Sequence, residues 1–201
     1  MGKTFFISDL HFGHANVLKF DNRPYFTIED HDADLIERWN HAVRCDDTVY
    51  ILGDVSWHDT EKTIEILDSL NGSKHLIVGN HDKKLLKNKK FRDCFLYISD
   101  YKEIDLNAGR GNYNIVLCHY PIPCFNKHYY GAYHLYGHVH NSFEWNMMEH
   151  LKAEMTQLYS KPCNMYNVGC MIPYMDYTPR TLEEIICSDI IRSISKTEAV
   201  S

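Results

Sequence analysis

The 201-residue sequence has no cysteine pair at the spacing of a zinc or redox motif, although it contains seven cysteines. An odd, scattered set of thiols is typical of a reducing compartment, so we expect a cytoplasmic protein with reduced cysteines. The sequence lacks an apolar run long enough to span a bilayer and starts directly with a strand pattern, so we expect neither a membrane span nor a signal peptide. The formal net charge of −6 excludes a global basic field that would attract nucleic acid.

Repeats, linkers and low-complexity stretches are also missing, which predicts a single domain over residues 1–201. Alternating strand and helix patterns predict an α/β fold class. Helix starts are predicted at Thr27, Thr60 and Thr178, where capping residues precede apolar residues at helical spacing. In the last helix, Pro179 is expected in the first turn, and Thr181-x-x-Glu184 has the pattern of a capping box. Residues 141–165 are rich in Met, Trp and Tyr, and we interpret them as a partly helical lid or an insertion within the domain.

Five predicted strands end in residues that bind metals or carry protons. The strands are Thr4–Ile7, Thr48–Leu52, His75–Val78, Tyr113–Cys118 and Tyr133–Tyr136. The residues that follow them are Asp9 and His11, Asp54, Asn80 and His81, His119, and finally His138 and His140. Because sites in open α/β sheets lie beyond the carboxyl ends of the strands, we expect these side chains to converge. Extended backbone would also direct Asp9 and His11 to one target, and likewise His138 and His140.

The candidate ligands offer carboxylate, imidazole and amide groups without a thiolate, which favours Mn²⁺, Fe or Zn²⁺. Seven candidates are too many for one tetrahedral ion and fit two ions that share a carboxylate, roughly 3.5–4 Å apart. The candidates are Asp9, His11, Asp54, Asn80, His119, His138 and His140. Most of the remaining histidines are interpreted as surface or packed residues, namely His31, His41, His58, His75, His128, His134 and His150.

Two further segments have alternative interpretations. Lys83–Arg92 is short and basic, and we favour a solvated helix face over a segment that attracts phosphate. Phe125–Tyr136 is rich in aromatic residues, and packing is favoured there over stacking on a nucleobase.

Five short motifs, each at a predicted strand end, resemble in their order the signature of the calcineurin-like metallophosphoesterases, especially their small bacterial and phage-type members. The motifs are Asp9-x-His11, Gly53-Asp54, Gly79-Asn80-His81-Asp82, His119 and Gly137-His138-x-His140. The match spans residues 5–140, and Asn167-Val168-Gly169 resembles the closing strand of that family. The resemblance implies a two-sheet β-sandwich flanked by helices, within the α/β (α+β) class.

The resemblance also implies two divalent cations, with Mn²⁺ favoured and Fe, Zn²⁺ or Ni²⁺ as alternatives. It assigns one cation to Asp9, His11, Asp54 and His140. It assigns the other to Asp54, Asn80, His119 and His138, so that Asp54 bridges the two. Spacing alone leaves this division of ligands open.

The implied activity is hydrolysis of phosphate esters by in-line attack of a hydroxide that bridges two metals. His81 resembles the catalytic histidine of the family that does not bind metal, and Asp82 is expected to orient it. The protein-phosphatase branch continues its Gly-Asp motif into Asp-Arg-Gly, whereas Val55–His58 follows here. A missing arginine favours phosphodiesters, because a dianionic monoester gains most from an arginine clamp. The candidates for contacts with the substrate phosphate are His14, Asn16 and Arg23.

The expected substrate is a small phosphate ester, with nucleotides and oligonucleotides included, and no membrane partner is expected. One alternative is a phosphomonoesterase or nucleotide phosphatase. Another is a non-catalytic metal-binding scaffold on the same fold. A degenerate scaffold would have lost ligands or the catalytic histidine, and this sequence retains all of them, which favours the enzyme.

Overall fold

The computed structural model describes residues 2–108 and 111–189. Within these residues, nine strands form two sheets. The strands are β1 (Thr4–Ile7), β2 (Thr48–Ile51), β3 (Ser73–Ile77), β4 (Tyr97–Ser99), β5 (Tyr101–Ala108), β6 (Gly111–Cys118), β7 (Tyr133–Tyr136), β8 (Asn164–Asn167) and β9 (Arg180–Thr181).

The first sheet has the order β4-β3-β2-β1-β9, in which β1 to β4 run parallel and β9 runs antiparallel to β1. The second sheet has the order β5-β6-β7-β8, in which β5 is antiparallel to β6 and the other pairs are parallel. Fully buried side chains of both sheets, such as Ile51, Leu76, Leu117 and Leu135, belong to one hydrophobic core. The expected two-sheet α/β architecture is therefore confirmed.

Helices connect the strands. They are α1 (Val17–Phe20), α2 (Ile28–Ala42), α3 (Thr60–Ser69), α4 (Lys89–Asp93), α5 (Phe143–Tyr159) and α6 (182–189), with 3₁₀ turns at Leu85–Lys87 and His128–Tyr130. The Thr27 hydroxyl accepts the Asp30 N–H at 3.1 Å, which caps α2 as the sequence predicts. Leu35 and Trp39 of α2 are buried at helical spacing. In the described part of the chain, no helix combines the length and apolar character needed to cross a membrane.

Three segments differ from or refine the sequence prediction. Arg180 pairs with Phe6 in β9, so the last helix begins after Thr181 rather than at Pro179. Thr181 and Glu184 form the predicted capping box, in which the Thr181 N–H donates to Glu184 Oε2 at 2.8 Å. The basic segment 83–92 does not form one helix: Lys83 and Lys84 lie in a turn, and the 3₁₀ turn and α4 follow. Residues 141–165 contain α5, and their role as a lid or insertion stays a prediction.

The two sheets meet where β1 and β8 end. The Ser8 N–H donates to the Val168 carbonyl at 2.8 Å, and the Cys170 N–H donates to the Ser8 carbonyl at 2.9 Å. The Ser8 hydroxyl also donates to the Leu52 carbonyl beyond β2, at 2.7 Å. These bonds bring the carboxyl ends of strands from both sheets to one place, directly beside Asp9.

Candidate metal centre

The backbone leaves the strands in left-handed turns at five of the candidate ligands. The φ angles are 55°, 52° and 56° at Asp9, His11 and Asp54, and 67° and 48° at His138 and His140. Such values are uncommon for residues with a Cβ and occur where the surrounding structure enforces them, often at functional sites. The prediction of extended backbone at Asp9–His11 and His138–His140 is therefore wrong. Turns, and not the alternation of side chains along a strand, direct these side chains to a common target.

Two glycines allow these turns to approach each other closely. A Cβ on Gly79 would clash with the Asp54 carboxylate, and a Cβ on Gly137 would clash with the Asp9 carboxylate. The backbone N–H of His138 instead donates to Asp9 Oδ2 at 3.1 Å. Because these glycines have no Cβ, the acidic side chains can lie directly against the neighbouring backbone.

A first set of donors consists of Asp9, His11, Asp54 and His140, whose ligand atoms all lie within 4.8 Å of one another. The Nε2 atoms of His11 and His140 are 3.2 Å apart. His11 Nε2 lies 3.7 Å from Asp54 Oδ2, and His140 Nε2 lies 3.6 Å from Asp9 Oδ1. Carboxylate and imidazole groups at this separation can hold a divalent cation.

A second set of donors lies on the other side of Asp54. Asn80 Oδ1 is 3.0 Å from His119 Nε2 and 3.0 Å from His138 Nδ1. His119 Nε2 is also 3.7 Å from Asp54 Oδ2, the same oxygen that faces His11. The structure therefore brings all seven candidate ligands together, with Asp54 shared between the two sets.

Hydrogen bonds at the far ring nitrogen orient two of the histidines for metal binding. His119 Nδ1 donates to the Leu52 carbonyl at 2.6 Å, and His140 Nδ1 donates to Asp21 at 2.8 Å. Both rings then direct the Nε2 lone pair into the cluster. His11 differs, because its Nδ1 accepts the indole N–H of Trp57 at 3.1 Å. Binding of a cation through His11 Nε2 therefore requires a change of tautomer.

The electrostatics of the cluster also suit a cation. Burial raises the pKa of the Asp54 carboxyl to about 6, with His119 opposing and Asp9 adding to this effect. Burial and the neighbouring charge of His140 lower the pKa of His11 well below its usual range. A divalent cation would favour an ionised carboxylate and neutral imidazoles, which are the forms that bind metals.

Behind the first set, Asp21 and Arg23 form a buried ion pair. Arg23 Nη2 donates to Asp21 Oδ2 at 2.8 Å. The guanidinium also donates to the carbonyls of Asp9 and Leu10, at 2.9 and 3.1 Å. Only 4% of Arg23 is exposed. The expectation that Arg23 contacts a substrate phosphate does not agree with this geometry. Its guanidinium holds Asp21, which in turn contacts His140.

Asp82 also has a role other than the expected one. Its carboxylate is fully buried and accepts the backbone N–H groups of Gly79, Asp54 and Val55 at 2.8, 3.0 and 3.0 Å. No bond from Asp82 to His81 is present among these contacts, so Asp82 does not orient the His81 ring directly. It joins the two loops that carry Asp54 and His81.

His81 and His14 lie at the solvent-facing rim of the cluster. The His81 side chain is 41% exposed, and its Nε2 is 3.9 Å from Asp54 Oδ2. The His14 ring stacks on Trp57 with centroids 4.2 Å apart. Asn16 is exposed at the start of α1. Contact of His14 and Asn16 with a substrate phosphate stays a prediction.

Sequence reasoning missed two residues at this site. Asp21 follows no strand and belongs to no motif, so no local pattern indicated its contact with His140. Trp57 does lie in Val55–His58, the segment that departs from the protein-phosphatase pattern. That departure was a signal for a different group beside the centre.

Comparisons with known proteins give a consistent result. A family model described as calcineurin-like phosphoesterase matches residues 2–149. The uncharacterized protein MJ1445 of Methanocaldococcus jannaschii is 37% identical over 142 residues, or 70% of each chain. The gene 66 protein of Mycobacterium phage L5 is 35% identical over 135 residues, which cover 60% of this chain and 64% of that protein. A solved structure, the protein of unknown function AQ665 from Aquifex aeolicus, has a TM-score of 0.66 at 26% identity and covers 92% of this chain and 98% of its own.

The two-sheet fold and its carboxylate–imidazole cluster define an α/β protein with a candidate metal site at its strand ends. The chain belongs to the calcineurin-like phosphoesterase family, whose model matches residues 2–149. The resemblance inferred from the sequence motifs is thereby confirmed. Family membership supports a metal-dependent phosphoester hydrolase, because the Asp and His residues that could bind metal are clustered in the structure.

Proposed function

We propose that the protein is a phosphodiesterase that uses two divalent cations. The observation that carries this proposal is the position of Asp54 Oδ2, which lies 3.7 Å from His11 Nε2 in one donor set and 3.7 Å from His119 Nε2 in the other. A carboxylate between two sets of nitrogen donors is the arrangement that a bridging ligand requires.

The residues present suit the proposed ions. Asp9, His11, Asp54 and His140 would hold one, and the other would be held by Asp54, Asn80, His119 and His138. Donors of this kind favour Mn²⁺, with Fe, Zn²⁺ or Ni²⁺ as alternatives. When bound, two such cations would lower the pKa of a water molecule and offset the charge of phosphoryl oxygens.

His81 is the residue that we propose to act on the substrate. Its backbone N–H donates to Asp54 Oδ1 at 3.0 Å, which places the imidazole at the rim while the ring remains partly exposed. From there the ring can donate a hydrogen bond to a phosphoryl oxygen or a proton to the leaving oxygen. Its exposure suits a group that meets substrate rather than one that is enclosed with a metal.

A preference for diesters over monoesters is supported by the burial and the hydrogen bonds of Arg23. The guanidinium of this residue is buried and bonded to protein groups, so it offers no bidentate clamp for a dianionic phosphate. A monoanionic diester needs less positive charge. We also propose a cytoplasmic location, because the seven cysteines are unpaired, as expected in a reducing compartment.

The test is hydrolysis of bis-(p-nitrophenyl) phosphate by purified protein loaded with Mn²⁺, compared with p-nitrophenyl phosphate. We expect a higher kcat/KM for the diester and loss of activity with a chelator. Faster hydrolysis of the monoester would favour the phosphatase alternative. Metal-loaded protein without activity on either ester would favour the scaffold.

The variant Asp54→Asn tests the bridging role. We expect it to lose both activity and part of the bound metal, because both donor sets include Asp54. An Asp54→Asn protein as active as the parent would contradict the proposal. The exposed residue Asp68 provides the matched control, and Asp68→Asn should retain activity and metal content.

A further inference from the structure

A cleft of about 360 Å³ opens beside the donor cluster. Asn80 and His81 contribute to its lining, together with Trp57, Lys83 and Lys84. The volume falls within the range of pockets that bind small molecules or single residues of a polymer. A group bound in this cleft would therefore lie next to the residues that we propose to act on a phosphodiester.

Trp57 presents an exposed aromatic surface in this cleft. The residue is 49% exposed, whereas the other two tryptophans, Trp39 and Trp145, are 1% and 5% exposed. The His14 ring stacks against Trp57 at 4.2 Å with an interplanar angle of 18°, which supports the indole from one side. A large aromatic ring left half exposed in a cleft is a surface on which a flat ligand can stack.

The aromatic surface continues along the rim beyond the cleft. His14 contacts Phe20 with ring centroids 6.2 Å apart, and Phe20 is 73% exposed. His14 also lies 5.4 Å from the ring of His11. Trp57, His14 and Phe20 therefore form a row of rings beside the candidate ligands. Nucleic-acid-binding proteins stack bases on exposed aromatic side chains such as Trp57 and Phe20.

Lys83 and Lys84 supply positive charge to the same cleft. Both are exposed, and across residues 2–108 and 111–189 no carboxylate forms an ion pair with either ammonium group. Lys89, farther along the same basic segment, is instead paired with Asp93 at 2.8 Å. In a chain with a net charge of −6, two unpaired lysines in one cleft are a local site for phosphate.

We propose that the substrate is a single-stranded nucleic acid, with one base stacked on Trp57 and the adjoining phosphate against Lys83 and Lys84. This inference rests on the proposed phosphodiesterase function and specifies its substrate class. Hydrolysis adds water across one P–O bond of the strand and gives a phosphate monoester and a free hydroxyl. Stacking is tolerant of sequence, so we expect little preference among bases.

The first test compares two oligomers of equal length and charge. One is oligothymidylate, and the other has abasic residues in place of every thymidine, so only the bases differ. Parent protein with Mn²⁺ should cleave oligothymidylate with a kcat/KM roughly 5- to 150-fold higher, which is the factor that stacking of one base provides. Equal rates on the two oligomers would overturn the proposal.

Variants at Trp57 separate stacking of a base from the effect of the contact between Trp57 and His11. Trp57→Leu should bring the ratio of the two kcat/KM values close to one. Trp57→Phe keeps an aromatic ring but loses the indole N–H that contacts His11, so it should retain most of the preference. If Trp57→Leu instead lowers both rates by the same factor, Trp57 acts through its contact with His11 and not by stacking, and the proposal is wrong.

Variants of the lysines test the phosphate contacts. The double variant Lys83→Ala/Lys84→Ala should raise KM for both oligomers and weaken the dependence of kcat/KM on salt concentration. The double variant Lys89→Ala/Lys90→Ala is the matched control, since it removes the same charge from the same segment outside the cleft lining. Equal effects of the two double variants would show a general charge effect and contradict the assigned site.

A binding measurement gives a result that does not depend on catalysis. Metal-free protein in chelator should increase the fluorescence anisotropy of a labelled oligothymidylate, and Trp57→Leu should weaken this binding by a factor similar to that in kcat/KM. Hydrolysis of bis-(p-nitrophenyl) phosphate without any preference for base-containing oligomers would reject this inference and leave the proposed function intact. Lack of hydrolysis of every diester would reject both.

Discussion

His140 and Asp21 are joined across 119 residues of sequence by a hydrogen bond of 2.8 Å from the imidazole Nδ1 to the carboxylate. Burial alone would lower the pKa of His140, but the bond to Asp21 and the charge of Asp9 outweigh burial and raise it. The bond orients the ring so that Nε2 points to Asp9 and His11. Contacts of this kind increase the basicity of a ligating imidazole and hold its tautomer.

We predict that Asp21→Asn lowers the affinity of the cluster for Mn²⁺ by roughly 10- to 100-fold, because a neutral amide orients His140 less strongly than a carboxylate. Isothermal titration calorimetry of metal-free protein measures this change. Asp68→Asn, which removes the same charge from the surface of α3, should bind Mn²⁺ like the parent. An unchanged affinity in Asp21→Asn would show that the contact has no role in metal binding.

The variant His81→Ala should lower kcat on bis-(p-nitrophenyl) phosphate by roughly 10²- to 10⁴-fold, as expected for the loss of a residue that donates a proton or hydrogen bond. Metal content, measured by inductively coupled plasma mass spectrometry, should remain that of the parent. His41→Ala, at an exposed position of α2, is the control and should affect neither quantity. Loss of metal from His81→Ala would make His81 a ligand.

The variant Asp82→Ala should reduce the free energy of unfolding by about 3 kcal/mol or more, because three buried N–H groups would lose their acceptor. Urea denaturation of metal-free protein measures this change. Asp93→Ala removes an exposed carboxylate paired with Lys89 and should cost less than about 1 kcal/mol. A stable Asp82→Ala protein would contradict the structural role inferred here.

We predict that the stability of the protein depends on pH through His134, which does not belong to the candidate metal centre. Burial lowers its pKa from 6.5 to about 4, although its Nδ1 donates to the Val116 carbonyl at 3.1 Å. The unfolded chain gains a proton near pH 6.5 and the folded protein does not. The contribution of His134 to the free energy of unfolding is therefore complete above pH 6.5 and is lost as pH falls toward 4. The total loss is about 3 kcal/mol, because each unit of pKa difference corresponds to about 1.36 kcal/mol.

The comparison of the parent with His134→Gln isolates this effect, because the two proteins share every other titrating group. In urea denaturation of metal-free protein, the parent should be more stable at pH 7, and its advantage should shrink by about 2 kcal/mol between pH 6.5 and pH 5. A constant difference over this range would mean that His134 titrates alike in folded and unfolded protein.

The strands and most helix starts could be predicted from the sequence, since each depends on neighbouring residues. Thr4–Ile7 and Tyr133–Tyr136 form strands with the predicted bounds, and Thr27 caps α2. The last helix begins at the predicted Thr181-x-x-Glu184 capping box, but Pro179 lies outside it because Arg180 pairs with Phe6 in a sheet. Long-range pairing of this kind overrides the local preference of proline for the first turn of a helix.

The candidate site, like the fold, was predicted from the sequence only in part. The donors were found because each follows a strand, and their convergence at the strand ends was expected correctly. The further argument from extended backbone was wrong, since Asp9, His11, His138 and His140 lie in left-handed turns. The roles of Asp82 and Arg23 were also misassigned. Both are polar residues next to a motif, and sequence position does not tell whether such a side chain faces solvent or is buried among backbone groups.

The amino-acid sequence by itself determined which donors exist, the order of the strands that carry them and the family to which the chain belongs, because these features are encoded by residues close together along the chain. Only the tertiary structure decided that Asp21 supports His140, that Asp82 clamps two loops and that Trp57 lies exposed in a cleft beside His81. Those outcomes depend on the paths of loops between distant elements, and the packing of the whole chain determines these paths.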